Sequence, residues 1–169
     1  MEGIAYGGDW NPEQWDEETN RRDIERMVRA GVNLVSLGIF SWASLEPEEG
    51  LYDLEWLADL IDQLHSAGIG VDLANGTASP PAWMAQRYPQ TLPVDSRGVR
   101  LGFGSRQQYN PSSELFCRKA CELTEAMARR FGDHPGVVMW HISNEYACHT
   151  AESFDDESAA AFRRWLVEK

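Results

Sequence analysis

One arrangement recurs four times along the 169-residue chain: a short, nearly continuous apolar run, a loop, and then a stretch whose apolar residues return at helical spacing. In the first unit residues 4–7 read as a strand and Gly8-Asp9-Trp10-Asn11-Pro12 as a turn-rich segment. A helix over 19–30 follows, with Ile24, Met27 and Val28 on one side and Gly31 as its stop. The second unit has a strand over 33–39 and a loop over 40–52 that holds Pro47 and Gly50. Its helical stripe of Leu54, Leu57, Ala58, Ile61, Leu64 and His65 ends at Gly68. Residues 69–73 form the third strand, and a long insertion with Pro and Gly occupies 75–109, with a short helix over 82–87. Asn110-Pro111 then reads as the N-cap and first residue of a helix running through Leu115, Leu123, Met127 and Phe131 to Gly132. The fourth strand spans 137–142 and the last helix 155–167, with Ala161, Phe162 and Trp165 on one side.

Alternating strands and helices, with the strands apolar throughout, predict an α/β fold: a parallel sheet covered by helices. No GxGxxG or phosphate-loop pattern follows any strand, which removes the usual reason for an open nucleotide-binding sheet. A closed eight-unit barrel needs about 250 residues. These units therefore predict the N-terminal half of a (β/α)8 TIM barrel, with residues 1–169 forming a single incomplete domain that lacks strands five to eight.

Charge and composition narrow the partners. With 15 Lys+Arg against 27 Asp+Glu the formal net charge is −12, and the basic residues form no run, so nucleic acid is excluded. No apolar stretch approaches the roughly 20 residues that cross a bilayer. Met1-Glu2-Gly3-Ile4 lacks the basic-then-apolar pattern of a secretory leader, so the reading is a cytoplasmic protein without membrane contact. Cys117, Cys121 and Cys148 are odd in number and show no CxxC spacing, the usage of free, buried thiols in a reducing compartment. Seven tryptophans exceed what a core of this size needs and are read as lining a ligand cleft.

In a barrel the reactive groups sit where strands end and loops begin. That rule selects Asp9, Trp10 and Asn11 after the first strand and Phe40, Ser41 and Trp42 after the second. After the third it selects Asn75, Thr77 and Ser79, and after the fourth Asn144, Glu145 and Tyr146. Polar groups mixed with aromatic rings suit a sugar, whose hydroxyls take donors and acceptors and whose C–H face stacks on indole. Glu145 is the sharpest of these, because a carboxylate at the mouth of a buried strand has no packing value. Glycoside hydrolysis needs such an acid, raised in pKa by partial burial, facing a second carboxylate. The structural alternative for Glu145 is a buried ion pair with Arg106. Asn144 can bond a sugar hydroxyl, Arg106 either reaches the same rim or lies solvated in its loop, and Asp9 doubles as an ordinary turn former. His65 and His134 read as structural, His141 faces either the helices or the lumen, and adjacent Cys148 and His149 give only a weak metal signal.

Several longer phrases occur in order along essentially the whole chain. They are Tyr6-Gly7-Gly8-Asp9-Trp10-Asn11-Pro12-Glu13-Gln14-Trp15, Gly38-Ile39-Phe40-Ser41-Trp42, Leu45-Glu46-Pro47, Thr77-Ala78-Ser79-Pro80-Pro81-Ala82-Trp83, Phe103-Gly104-Ser105-Arg106-Gln107 and Trp140-His141-Ile142-Ser143-Asn144-Glu145-Tyr146. Together they resemble the N-terminal part of the glycoside hydrolase family 42 β-galactosidases, barrel enzymes with paired glutamates. The resemblance implies retaining hydrolysis of terminal β-D-galactose residues from β-galactosides, with no cofactor. It matches Glu145 to the acid/base, and Asn144 and Arg106 to substrate-binding residues. The family's nucleophile is another glutamate, near the end of the seventh strand and not in this chain, so the chain alone is expected to be inactive. A trimeric parent is also implied. Two departures bear on this. The family reads Asn-Glu-Tyr-Gly where this chain has Ala147, which crowds the turn if glycine serves there for its backbone freedom. Some members bind zinc through cysteines at positions that read Asn110, Ser153 and Asp155 here, so no zinc is expected. The competing readings are a related clan activity, a β-glucosidase or arabinosidase, and a non-catalytic carbohydrate-binding remnant.

Overall fold

The computed structural model describes residues 3–104 and 106–169. Four strands, β1 (Gly7–Trp10), β2 (Leu34–Leu37), β3 (Gly70–Ala74) and β4 (Val137–His141), lie in the order β1-β2-β3-β4. Each neighbouring pair is parallel. Parallel neighbours require a crossover, supplied by α1 (Glu17–Ala30), α3 (Glu55–Ser66) and α5 (Glu114–Phe131). The short helices α2 (Trp42–Leu45) and α4 (Ala82–Arg87) sit inside the loops, and α6 (Asp156–Glu168) follows β4. The alternation expected from the sequence is thus observed.

The two faces of the sheet differ. Val35, Leu37, Val71 and Leu73 form one buried cluster with Ile24 of α1, Leu57, Ile61 and Leu64 of α3, and Leu123, Met127 and Phe131 of α5. Each such side chain contributes about 1.5–3 kcal/mol by leaving water. The intervening positions point the other way and are polar: the Ser36 hydroxyl donates to Asp72 Oδ2 at 2.9 Å, and His141 Nδ1 lies 3.5 Å from the same oxygen. His141 therefore faces the side opposite the helices. Among the exposed apolar residues, Ile4 and Tyr6 precede β1, Val138 and Met139 lie on β4, and Phe162, Trp165 and Leu166 line α6.

Four expectations are corrected. The first strand is Gly7–Trp10 instead of 4–7, because the glycine-rich segment itself pairs with β2: Gly7 lies opposite Leu34, and a Cβ there would stand 1.6 Å from the Leu34 carbonyl oxygen. Glycine is what lets the two backbones meet. The cap of α5 is Ser113, whose Oγ accepts from Phe116 N at 3.5 Å. Asn110 instead shapes the preceding turn, its Oδ1 accepting from Ser112 N at 2.9 Å. Most of the tryptophans serve the core: Trp42 is fully buried, Trp10 nearly so, and Trp56, Trp83 and Trp140 pack against the same cluster, leaving Trp15 and Trp165 exposed. The cysteines are free as expected, yet Cys117, Cys121 and Cys148 are all exposed.

The start of α6 is tied to the start of α5 by a polar cluster. Asp155 Oδ2 accepts from Asn110 Nδ2 at 2.9 Å, Ser153 Oγ at 2.5 Å and Ser158 Oγ at 2.8 Å, while its Oδ1 caps Ser158 N at 2.9 Å. Ser158 Oγ also reaches Asn110 Oδ1 at 3.0 Å. Burial pushes the Asp155 carboxyl up, but the hydrogen bonds from Ser153 and Ser158 outweigh it and hold the group down at about 2, against a usual 3.8. Asp155→Ala is expected to destabilise α6 by about 1 kcal/mol, read as faster amide exchange across the helix. Because the folded-state pKa is depressed, this contribution is complete above the ordinary value and is lost as pH falls toward about 2. The gap in exchange rate between the variant and the parent protein narrows over that interval.

Candidate active site

All four strands end at one rim, and the loop after β3 crosses it. Arg106 and Gln107 are consecutive residues of that loop with opposite destinations. The exposed Arg106 guanidinium stacks over the Phe40 ring, in the loop after β2, with its carbon 4.6 Å from the ring centroid. Gln107 is 3% exposed and turns toward the segment after β4. Its Nε2 donates to the Glu145 carbonyl oxygen at 2.6 Å and also to that of Asn144, and its Oε1 accepts from His149 N at 3.3 Å. Its own N–H donates to Ala78 O at 2.8 Å, which fixes it to the first part of the same loop. Ser105, within the Phe103–Gln107 phrase, lies outside the described residues, as do Met1 and Glu2.

Glu145 lies within this anchored stretch. Its side chain is exposed, and its Oε2 accepts from Asn144 Nδ2 at 3.3 Å. Among the described residues no ion pair joins Glu145 to Arg106, so the buried-pair alternative is not what the structure shows. The partial burial expected for Glu145 is also absent from this arrangement. Its backbone φ is +46°, in the left-handed region, and Cys148 N donates to its carbonyl oxygen at 3.0 Å.

The other rim candidates divide by role. Asn75 and Thr77 are buried and bonded to each other, with Thr77 Oγ1 donating to Asn75 Oδ1 at 2.8 Å. Ser41 and Trp42 are buried, while Asp9 is exposed. The Leu45-Glu46-Pro47 phrase is structural: buried Glu46 accepts from Trp42 Nε1 at 2.7 Å and from Gly50 N at 2.8 Å, and its carbonyl accepts from Trp83 Nε1 at 2.9 Å. His65 and His134 pack edge to face on the helix side, and no cluster of three metal-binding side chains forms among the described residues. A groove of about 440 Å³ flanks the rim, running from Asn75 and Thr77 past Tyr109 and Phe116 to Ser143 and Tyr146. A larger cleft of about 620 Å³ lies between α1 and α3, away from Arg106, Asn144 and Glu145. Gln107 is the site residue that sequence reasoning missed. Its only signal was its place beside Arg106 in the quoted phrase.

A parallel α/β half-barrel that presents a carboxylate, an amide and a guanidinium on the segments after its strands has the layout of the loop-bearing face of an α/β barrel. Residues 9–169 match the glycoside hydrolase family 42 β-galactosidases, and the chain belongs to that family. A β-galactosidase of Arthrobacter sp. is 51% identical over 169 residues, all of this chain and 24% of that protein. One from Geobacillus kaustophilus is 48% identical over the same length, 25% of that protein. The crystal structure of the cold-adapted β-galactosidase from Rahnella sp. R3 superposes with a TM-score of 0.94 at 40% identity, covering 100% of this chain and 25% of that one. The chain thus spans about a quarter of the length of the relatives it matches and forms the N-terminal part of their α/β barrel.

Ala147, where the resemblance places glycine, has a φ of +61°. A Cβ in that region costs roughly 1–2 kcal/mol. Ala147→Gly is therefore expected to raise stability by about 1 kcal/mol, measured as a higher urea midpoint with an unchanged slope.

Proposed function

We propose that this chain is the N-terminal part of the catalytic barrel of a retaining β-galactosidase, with Glu145 as its acid/base and Asn144 and Arg106 as sugar-binding groups. The observation that carries the reading is the exposed Glu145 carboxyl, set at the end of β4 on a strained backbone and bonded to Asn144. Strain of this kind persists where the surroundings enforce it, and it concentrates at functional sites. The relatives named as β-galactosidases supply the substrate class.

The reaction runs in two displacements. Protonated Glu145 gives its proton to the glycosidic oxygen as the bond from that oxygen to the anomeric carbon breaks. A glutamate carboxylate from beyond these residues forms a bond to the same carbon, and the aglycone leaves as an alcohol. Glu145, now a carboxylate, takes a proton from water, whose oxygen attacks the anomeric carbon and frees the nucleophile. Retention sets the two carboxyl groups about 5–5.5 Å apart. The exposure of Glu145 assigns the remainder of the barrel a second task, covering the acid from solvent. Only protons and a glycosyl group move, so the chemistry takes no cofactor. Three unpaired, exposed thiols suit a reducing compartment, which favours the cytoplasm. The trimer implied by the resemblance belongs to the same proposal.

Hydrolysis of phenyl β-galactoside by the full-length protein tests the assignment. Glu145→Gln is expected to lower kcat/KM on this substrate by about 10²–10⁴-fold, and azide is expected to raise the variant's turnover of dinitrophenyl β-galactoside, whose leaving group departs without the acid, by capturing the galactosyl-enzyme. The 169-residue chain alone is expected to show none. Undiminished hydrolysis by the variant, or turnover by the isolated chain, overturns the reading.

A further inference from the structure

We propose that Gln107 is a positioning residue that sets the direction of the Glu145 carboxyl by holding its backbone. The inference rests on the reading of Glu145 as the acid/base and extends it to a residue that does not touch substrate. All the polar capacity of the Gln107 side chain engaged here goes to the main chain around Glu145: its amide nitrogen donates to the carbonyls of Asn144 and Glu145, and its amide oxygen accepts from His149 N. The Gln107 side chain is 3% exposed, and without its amide the part-buried contact to the Asn144 carbonyl is lost while the Glu145 carbonyl keeps Cys148 N at 3.0 Å.

Geometry explains why this bears on catalysis. Glu145 sits at φ +46°, an unfavourable conformation for a residue with a Cβ. If the peptide relaxes to negative φ, the Cα–Cβ bond of Glu145 swings to a new direction and carries the carboxyl with it. Gln107 is itself anchored, through its N–H to Ala78 O at 2.8 Å. A brace fixed at one end to the loop after β3 and at the other to the turn after β4 holds the acid against the sheet's frame. The amide is suited to this and a carboxylate is not, because a glutamate at 107 has the same shape but presents an acceptor to two carbonyl oxygens.

The test uses the full-length enzyme carrying Gln107→Ala and, separately, Gln107→Glu, with Glu145→Gln as the reference. Two substrates are compared by kcat/KM: phenyl β-galactoside, whose leaving group needs a proton, and dinitrophenyl β-galactoside, whose leaving group departs without one. Rates are normalised by the burst of dinitrophenolate released from the slow 2-fluoro galactoside, which counts folded sites and removes any loss to misfolding. Both Gln107 variants are expected to lose about 10–100-fold on the phenyl substrate, within the range general acid catalysis supplies, with the loss in kcat and little change in KM. The dinitrophenyl rate is expected to stay within about 3-fold, since proton transfer contributes little to its departure. Normalised losses equal on both substrates, or no loss on either, overturn the positioning role. If Glu145→Gln hydrolyses the phenyl substrate as the parent does, the acid assignment itself fails and this inference falls with it. If Glu145→Gln shows the leaving-group dependence and the Gln107 variants do not, only the role of Gln107 is lost.

Discussion

Strand β3 is almost wholly buried and pairs in parallel with β2 on one side and β4 on the other, so the chain leaves all three strands in the same direction. Parallel pairing forbids tight hairpins and forces each connection across a helix. The helices cover one face only, and the segments after the strands are left to gather at one rim. Asn75 N donates to His141 O at 3.3 Å where β3 and β4 end, which brings the loop after β3 against the turn that carries Glu145. The proximity of Gln107 to Glu145, 38 positions apart, is thus a consequence of strand order before it is a matter of side chains.

The opposite face of the sheet carries a different constraint. Ser36, Asp72 and His141 form a short polar chain there, and Asp72 Oδ1 is buried without a hydrogen-bond partner among the described residues. A desolvated carboxylate oxygen is unfavourable unless paired, so this face calls for a donor. The same incompleteness shows at both flanks, where Ile4 and Tyr6 precede β1 and Met139 lies exposed on β4. Unpaired edges with apolar side chains are surfaces that proteins ordinarily cover. Coverage of about a quarter of each relative accounts for all of these in the same way: the features that look unfinished are those a closed barrel conceals.

Much of this was legible in the sequence, and the misses share a cause. Periodicity located α1, α3 and α5 within a few residues, and the short helix Ala82–Arg87 to the residue, because helix patterns and their glycine stops are local signals. The first strand was misplaced because its glycines satisfy an inter-strand contact at Leu34 that no window of neighbouring residues contains. Asn110 looked like a cap and forms a turn, since the same side-chain oxygen serves either purpose and Ser113 competes for the role. Two of the core tryptophans show a related reason: an indole whose N–H finds an acceptor is an ordinary core residue. Trp42 and Trp83 find theirs on Glu46, a residue that by itself reads as a surface charge. At the site, Glu145 and Asn144 announced themselves by position, whereas Gln107 acts through backbone groups that leave no trace in residue identity.

The distribution of backbone strain separates the rim from the rest of the fold. Among the described residues the non-glycine positions with positive φ are Gln107, Glu145 and Ala147, and all lie where the loops after β3 and β4 meet. Elsewhere such conformations fall to glycine, as at Gly31, where φ is +77° and the N–H closes α1 onto Met27 and Val28. In the proposed acid/base role position 145 needs a carboxyl, which glycine does not supply. On that reading the unfavourable φ is a consequence of placing a side chain with a Cβ on a turn, and something outside that turn has to hold it there. The Gln107 amide meets that requirement in both directions, donating to the carbonyls that would rotate and accepting from His149 at the far side of the turn. A strained residue and its restraint therefore form one unit. Their separation in sequence gives the turn a geometry set by the sheet instead of by its own local preferences.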